Sequence, residues 1–389
     1  MPTLWQHVER ALALIDAQCL PATALVSYGH GDWNDSMQPA DPRLRAELCS
    51  AWTVTLHYQM LSTMAAALAR GTHAATAEKL RAMATRVAAD FQRLLVIDHV
   101  IPGYMHACAD GTHDYLLHPR DQRTGLHYSL LPIPHGILSG ILTPAQAAHH
   151  FALIEHHLLG PEGARLFDQP MRYHGGTMAL FQRAESAAFF GREIGLMYTH
   201  AHLRYAEALA YAGRPAAFFA ALNLVNPVGL EMRLNGASPR PSNCYYSSSD
   251  AAFPDRYAAF DDYGRVARGE VAFDGGWRVY SSGPGLAIAI MVRSLFGLRF
   301  AGEELHIDPV MPTTLDGLAV SFPIAGQPSR FHFQVGARGY GLRRVRLNGV
   351  ELEGRVLGNP YREAGVAIAM SAVRALLRDG ENRWEIAVI

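Results

Sequence analysis

The residues best suited to chemistry in this sequence lie in one short segment, residues 31–35. Asp32, Trp33, Asn34 and Asp35 follow one another directly. An indole can stack on the apolar face of a sugar ring, an amide can bond its hydroxyls, and a carboxylic acid can protonate a leaving glycosidic oxygen. The segment therefore favours a sugar site, in which Asp35 or Asp32 is the acid. The structural alternative is that an aspartate caps a helix while Trp33 packs against the core.

Helical patterns surround this segment. Apolar residues repeat at helical spacing over residues 3–18, and alanine- and leucine-rich helical stretches follow at 43–70 and 74–96. Residues 97–125 are irregular, with short strands expected. Further helices are expected at about 127–141, 144–159, 186–213, 215–224 and 284–297. Residues 225–282 form a loop-rich segment that is too long for an ordinary connection, which favours a functional role.

The pattern changes at about residue 298. Short β-branched and aromatic runs alternate there with turn-forming pairs such as Asn348-Gly349, which predicts a tight hairpin turn. We therefore expect two domains. Residues 1–297 are mainly α, and residues 298–389 form a small antiparallel β-sandwich.

Composition excludes several classes of partner. The 389 residues carry a formal net charge of −1, which gives no reason to expect a nucleic acid or an anionic membrane surface. Residues 1–19 lack the basic start and apolar run of a signal peptide. The cysteines show no CxxC spacing and are typical of reduced thiols, so a cytoplasmic location is expected; they are Cys19, Cys49, Cys108 and Cys244.

Several motifs along the chain occur together in a known order. After residues 31–35 come Ser50-Ala51-Trp52, Tyr198-Thr199-His200-Ala201, the segment 222–227, Gly275-Gly276-Trp277 and Leu305-His306-Ile307-Asp308-Pro309. In this register, over residues 29–312, the sequence resembles the inverting disaccharide phosphorylases of glycoside hydrolase family 94. That family includes cellobiose and chitobiose phosphorylases and the C-terminal part of cyclic β-1,2-glucan synthase.

The resemblance implies an (α/α)6 toroid followed by a β domain. A complete toroid needs about twelve helices, and this chain shows seven or eight, so it resembles the second half of the barrel with the C-terminal β domain. A partial toroid exposes an apolar wall. The expected cover is either the missing N-terminal portion or a second copy of the chain.

The resemblance also implies an activity. This is the inverting phosphorolysis of β-linked gluco-oligosaccharides or disaccharides to give a sugar 1-phosphate. Asp35 maps to the general acid, and inorganic phosphate is the co-substrate, with no cofactor. His200 maps to a phosphate ligand. The family's second phosphate ligand is a hydroxyl, which falls on Gly283 here, so Ser281 or Ser282 is the expected substitute.

Departures from the family pattern leave other functions open. An acceptor-binding glutamate of the family is replaced by a segment that contains Tyr245 and Tyr246, which, with Tyr257, are candidate sugar platforms. An inverting hydrolase on the same scaffold is one alternative. Its base would come from the loop acids Asp250, Asp255, Asp261, Asp262 and Glu270. A non-catalytic fragment that binds carbohydrate or a partner is the other.

Two further expectations concern the acid and metals. Burial of Asp35 beside Trp33 and Asp32 is expected to raise its pKa, so that it stays protonated near neutral pH. A histidine group was considered as a zinc site, but its spacings match no common zinc pattern, and no metal site is predicted; its members are His113, His118, His127 and His135.

Overall fold

The computed structural model describes all residues of the chain except 70, 72, 174–177, 187–194, 227, 238–248 and 276–281. The chain divides into two compact units. The first comprises Met1–Ala201, Gly229–Arg240 and Tyr246–Trp277, and the second comprises His202–Val228, Pro241–Tyr245 and Arg278–Ile389. The domain boundary expected at residue 298 stays a prediction.

Helices dominate the chain up to about residue 297. They are α1 (Leu4–Ala17), α2 (Leu44–Glu47), α3 (Ala51–Leu68), α4 (Ala74–Leu94), α5 (Pro132–Ser139), α6 (Pro144–Leu153), α7 (Gln182–Ser186), α8 (Thr199–Tyr211), α9 (Pro215–Leu224), α10 (Leu230–Arg233), α11 (Arg256–Asp261), α12 (Gly264–Ala267), α13 (Ser282–Ile290) and, near the C-terminus, α14 (Met370–Leu376). Short π-helical turns extend α6 and α13 over Ile154–Leu158 and Met291–Leu295, and 3₁₀ turns lie at Asp35–Met37 and Thr313–Leu315. No described helix is both long enough and apolar enough to cross a bilayer.

Strands are short in the first unit and concentrated after residue 297. They are β1 (Leu48–Ser50), β2 (Tyr104–Ala107), β3 (His113–Leu116), β4 (Leu159–Gly160), β5 (Gly163–Ala164), β6 (Ser249–Ala251), β7 (Phe273–Gly275), β8 (Leu298–Ala301), β9 (Glu304–Ile307), β10 (Ala319–Ser321), β11 (Ser329–Val335), β12 (Leu342–Leu347), β13 (Val350–Glu351), β14 (Arg355–Val356), β15 (Val366–Ala369) and β16 (Asn382–Val388).

Side-chain caps begin several helices. The hydroxyl of Thr3 accepts the backbone N–H of Gln6 at 3.3 Å, and the Gln6 side chain accepts the Thr3 N–H at 2.8 Å. Thr143 and Gln146 form the same reciprocal cap before α6. Such caps satisfy backbone donors that have no partner within the helix.

The first unit contains a small sheet that interrupts a predicted helical stretch. The stretch 43–70 consists of α2 and α3, separated by β1. Ser50 adopts an extended backbone, with φ −81° and ψ 121°, and its hydroxyl accepts the N–H of Thr53 at 3.4 Å. β1 pairs with β2, and β2 with β3, both antiparallel. The helix expected at 127–141 is likewise shorter than predicted, since α5 begins at Pro132.

The long segment 225–282 is not a simple loop. It includes α10, α11 and α12, and in the first unit it contributes buried apolar residues to a cluster with Leu196 and Met197. The cluster members from the segment include Leu230, Val266 and Phe273. These buried apolar contacts pack the described parts of the segment into the first unit.

The C-terminal part of the second unit is the β domain expected from the sequence. One sheet has the strand order β10-β11-β16-β12-β13, and the other has the order β14-β15-β9-β8. All neighbours are antiparallel except β11 and β16, which run parallel. Phe331 and the fully buried Trp384 stack with ring centroids 5.2 Å apart.

A turn in this domain confirms a local prediction. Asn348 and Gly349 join β12 to β13 with φ values of 52° and 85°. Both values are positive, as a type I′ turn requires. The Asn348 side chain also donates to the carbonyl of Leu376 and to Asn382 at 2.8 and 2.9 Å.

The motif around residues 305–309 has a structural role. The Arg362 guanidinium donates two hydrogen bonds of 2.8 Å to the Asp308 carboxylate, which also accepts the N–H of Gly365 at 2.7 Å. Gly297 has φ 69°, and a side chain there would collide with the backbone of Pro309. The motif therefore joins the end of α13 to the sheet that follows.

Candidate active site

A loop over residues 28–37 carries the predicted site residues. The backbone N–H groups of Tyr28 and Gly29 donate to carbonyls of β1 and α2 at 2.7 and 2.8 Å. Gly29 has φ 62°, which lets the chain turn away from the sheet. The loop then enters the 3₁₀ turn Asp35–Met37, which Asn34 caps. Backbone bonds thus hold the start of the loop, and the Asn34 side chain caps the turn at its end.

Asp32 is the half-buried carboxylate of this loop. The hydroxyls of Ser50 and Tyr104 donate to it, as do the backbone N–H groups of Trp33 and Asn34. Ser50 and Tyr104 lie opposite each other in the β1–β2 ladder, so the sheet presents both hydroxyls together. Burial raises the pKa of Asp32 above its ordinary value, and the four hydrogen bonds partly oppose that shift.

Two buried tyrosines lie beside this carboxylate. The rings of Tyr28 and Tyr104 have centroids 6.2 Å apart, and Tyr104 lies 5.3 Å from Phe181. Burial, followed by the charge of Asp32, raises the pKa of both phenols. Both phenols therefore stay protonated at neutral pH, and Tyr104 donates to Asp32. Among the described residues, the Tyr28 hydroxyl has no hydrogen-bond partner.

Asp35 lies in a different environment. It is exposed, whereas Ser36 and Met37 after it are fully buried. The expectation that Asp35 is buried beside Trp33 is therefore wrong. The turn is anchored through Ser36 and Met37, which leaves its first residue on the solvent side, and the more buried carboxylate of the motif is Asp32.

Trp33 lies against the first turn of α8. Its half-buried indole meets the ring of Tyr198 edge-on, with centroids 5.0 Å apart and an interplanar angle of 88°. The ring of His200 lies 5.9 Å from the indole at 86°. The structure thus brings together the loop and the histidine that were predicted to share a site.

Asn34 is almost completely buried, with 1% of its surface exposed. Its Oδ1 accepts the N–H of Ser36 at 3.0 Å. Within the described part of the chain, its Nδ2 has no hydrogen-bond partner. An unpaired buried amide donor costs about 1–3 kcal/mol, so this group is suited to a ligand hydroxyl.

A second segment holds the downstream side of the loop. The buried carboxylate of Glu185 accepts three consecutive backbone N–H groups, those of Ala179, Leu180 and Phe181, at 2.6, 2.7 and 2.6 Å. The N–H of Gln182 donates to the carbonyl of Gln38 at 2.9 Å. The turn that begins at Asp35 is therefore supported from both sides.

Four other predicted site residues have no described position relative to this loop. Ser282 opens α13 in the second unit. Ser281, Tyr245 and Tyr246 lie outside the described residues. The roles assigned to these four residues stay predictions.

The loop acids considered as a hydrolytic base have local partners. Asp255 caps α11 by accepting the Ala258 N–H at 2.9 Å. Glu270 pairs with Arg268 at 2.6 Å, and Asp262 lies 3.4 Å from the Arg265 guanidinium. All three acids are exposed, which is typical of a solvated surface.

Comparisons with known proteins agree with the motif register. Residues 297–386 match the family described as "Glycoside phosphorylase C-terminal domain". Over 333 residues the chain is 41% identical to a 1,2-β-oligoglucan phosphorylase of Listeria innocua. The chain is related to the glycoside phosphorylases. The resemblance inferred from the motifs is thereby confirmed. The aligned region is 85% of this chain but only 30% of that relative.

Solved structures give a weaker comparison. A sialidase matches with a TM-score of 0.55 and 11% identity, over 93% of this chain and 30% of the sialidase. This similarity concerns the fold alone. A family 78 rhamnosidase of Bacillus sp. GL1 matches with a TM-score of 0.44 and 14% identity, over 85% of this chain and 29% of the rhamnosidase, which is too low to support an inference.

Proposed function

We propose that this chain takes part in the inverting phosphorolysis of β-linked gluco-oligosaccharides. One observation carries the proposal: Trp33, whose indole suits a sugar face, lies against His200, whose imidazole suits a phosphate, and an exposed carboxylic acid follows two residues later. The name of the Listeria relative makes β-1,2-linked glucose the first substrate to test.

In the proposed reaction, Asp35 gives its proton to the glycosidic oxygen as the bond from that oxygen to the anomeric carbon breaks. An oxygen of inorganic phosphate attacks the anomeric carbon from the opposite face. A β-glycoside therefore yields an α-sugar 1-phosphate and a free acceptor hydroxyl. Trp33 stacks on the sugar, and Asn34 Nδ2 donates to one of its hydroxyls. His200 binds phosphate, with Ser281 or Ser282 as a second ligand.

Asp32 is proposed to act as a positioning residue. Its carboxylate joins the loop to Ser50 of β1 and Tyr104 of β2, and it also accepts the N–H groups of Trp33 and Asn34. Removing it would displace the binding side chains rather than the proton donor. The hydrolase alternative is less favoured, because the described loop acids with assigned partners are exposed caps and surface pairs.

The chain spans 30% of the length of the Listeria relative, so how the complete site is assembled is also a proposal. We propose that the helices form part of an (α/α) toroid. The glycone-binding half of the site would come from the rest of such an enzyme, or from a second copy of the chain. The substrates would be an oligosaccharide and phosphate, without an organic cofactor, in the cytoplasm.

Phosphate titration by calorimetry, in the presence of a β-1,2-gluco-oligosaccharide, tests the proposed anion ligand. His200→Ala should weaken phosphate binding about 10- to 100-fold, the scale of a hydrogen bond to a charged group. His7→Ala, at an exposed position of α1, is the matched control and should leave binding unchanged. Equal phosphate affinity in the His200 variant and the wild type would remove His200 from the proposal.

A further inference from the structure

The β2–β3 hairpin places three different donor side chains on one face. His106 of β2 lies directly opposite Asp114 of β3 in the antiparallel register. Cys108 follows His106 by two residues, so its side chain leaves the chain on the same side. The turn between the strands is closed by a backbone bond of 2.9 Å from the Cys108 N–H to the carbonyl of Thr112.

The donor atoms of these residues converge. A ring nitrogen of His106, the Cys108 sulfur and an Asp114 carboxylate oxygen all lie within 4.8 Å of one another. The His106 Nδ1 and the Cys108 sulfur are 3.9 Å apart. Around a tetrahedral zinc ion, such a nitrogen and sulfur lie about 3.6 Å apart, given bonds of about 2.0–2.1 and 2.3 Å. The pair is therefore within a few tenths of an ångström of a metal-binding geometry.

A carboxylate orients the histidine. Glu47 Oε2 lies 3.2 Å from the His106 Nε2, which fixes the proton on Nε2 and leaves Nδ1 as the acceptor. Arg123 confirms this tautomer, since its guanidinium can only donate and lies 3.3 Å from Nδ1. The lone pair of Nδ1 is thus available to bind a cation on the side of the ring that faces Cys108.

A positive charge already lies against this face. The Arg123 guanidinium that contacts His106 is also 3.6 Å from the Asp114 carboxylate. Its side chain is 38% exposed, so it can move into solvent. The combination of thiolate, imidazole and carboxylate suits a borderline-soft divalent ion of the zinc type.

We propose that His106, Cys108 and Asp114 bind a divalent transition-metal ion of the zinc type in exchange for the Arg123 guanidinium. Water completes the coordination. On binding, the Cys108 thiol releases its proton to solvent as the metal–sulfur bond forms. The ion joins β2 to β3 and, through Glu47, engages α2. The ion has a structural role. It would stabilise β2, the strand that carries Tyr104, and Tyr104 in turn donates a hydrogen bond to Asp32.

Cobalt titration of the full chain, after removal of metals by a chelator, tests the site. One equivalent of Co²⁺ should produce a thiolate-to-cobalt charge-transfer band, and Zn²⁺ should displace it and raise the melting temperature. Cys108→Ser should abolish the band. Cys19→Ser, the same change at a half-buried cysteine outside the cluster, should preserve it.

Two further variants keep the test decisive if Cys108→Ser folds poorly. Glu47→Gln should weaken metal affinity about 10- to 100-fold, as loss of an orienting carboxylate does. Arg123→Gln should strengthen it, because the competing cation is gone. A cobalt band that persists in Cys108→Ser, absence of stoichiometric binding in the wild type, or weaker binding in Arg123→Gln would overturn the proposal.

Discussion

The two aspartates of the loop show how environment separates chemically identical groups. Asp32 is held by four donors and has a raised pKa because of burial, whereas Asp35 is exposed at the start of a turn. In enzymes with two such carboxyl groups, the one with the raised pKa is usually the proton donor. By environment Asp32 fits that role, whereas the motif order assigns it to Asp35, and we propose Asp35 as the acid on the motif order.

Substitution of each aspartate separates these roles. Asp35→Asn should lower turnover of β-1,2-gluco-oligosaccharides at least about a hundredfold, the usual scale for loss of a general acid. Activity on a substrate with a good leaving group, such as an aryl glucoside, should fall much less, since that group needs little protonation. If Asp32→Asn shows this leaving-group dependence instead, the acid is Asp32.

The pH dependence of stability gives an independent test of Asp32 burial. Its folded-state pKa is raised above the ordinary value of 3.8, so the folded protein holds this proton more tightly than the unfolded chain. Stability relative to Asp32→Asn should therefore fall as pH rises from about 4 through the raised pKa. Urea denaturation at a series of pH values measures this difference.

Asp98 provides a control of opposite sign. The Arg120 guanidinium lowers the pKa of this exposed carboxyl. Relative to Asp98→Asn, the wild type should lose stability as pH falls, not as it rises. If the difference in unfolding free energy between wild type and variant changed with pH in the same direction for Asp32→Asn and Asp98→Asn, the account of Asp32 would be contradicted.

The residues of the candidate site could be picked out from sequence, but the contacts that support them could not. Trp33, Asn34 and the acids stand side by side in the chain, and the motif order led to His200. Ser50 and Tyr104 act on Asp32 only because β1 pairs with β2, and the short strands expected in 97–125 carried no sign of their partner. The burial of Asp32 rather than Asp35 likewise depends on tertiary contacts.

At the scale of elements, local patterns were most reliable where a cap or turn residue marked a boundary. The predicted Asn348-Gly349 turn is found, and the helix predicted from residue 144 begins directly after Thr143, the residue that forms the reciprocal cap with Gln146. Helical periodicity alone does not show the strand within 43–70. β1 has only three residues, so the helical pattern of the surrounding stretch conceals it.

The turn at Gly349 offers a test with little packing contribution. Its φ is 85°, and an added Cβ would meet nothing within 4 Å. Gly349→Ala should therefore destabilise the protein by about 1–2 kcal/mol through backbone strain alone. Gly358→Ala, also in open space but without a positive φ, should be neutral or slightly stabilising. Similar free energies of unfolding for the two variants would contradict the assigned turn.

His202 of α8 illustrates a buried histidine with a structural role. It is fully buried, its Nε2 donates to the carbonyl of Ala221 at 2.8 Å, and burial lowers its pKa to about 4. As pH falls from 6.5 toward 4, the unfolded chain gains a proton that the folded chain excludes. This should cost roughly 3 kcal/mol of stability over that range.

His202→Gln should remove this part of the acid sensitivity, and His7→Gln at an exposed position should not. His150, which is also buried with its pKa lowered to about 4, adds a loss of the same sign in every variant. The measurement is therefore the difference in unfolding free energy between wild type and variant at each pH. A difference that is independent of pH would contradict the burial of a neutral His202.

For the whole molecule, the sequence predicted a helical region and a later β domain, and both are present. Helical spacing of apolar residues before about residue 298 and short strand-like runs after it were enough for that prediction, because helices and strands have different hydrophobic periodicities. The parallel pairing of β11 with β16 could not be predicted, because it joins strands distant in the chain. That the helices form part of a toroid remains a proposal. The same holds for the glycone-binding half of the site, which would come from outside this chain or from a second copy.

The most direct test of the central claim is phosphorus NMR of the chain incubated with β-1,2-gluco-oligosaccharides and inorganic phosphate. The account predicts formation of α-glucose 1-phosphate, with no release of glucose when phosphate is left out. Release of free glucose without phosphate would instead show hydrolysis. Binding of the oligosaccharide with no product under either condition, also when the remaining portion of such an enzyme is supplied, would contradict a catalytic role for this chain.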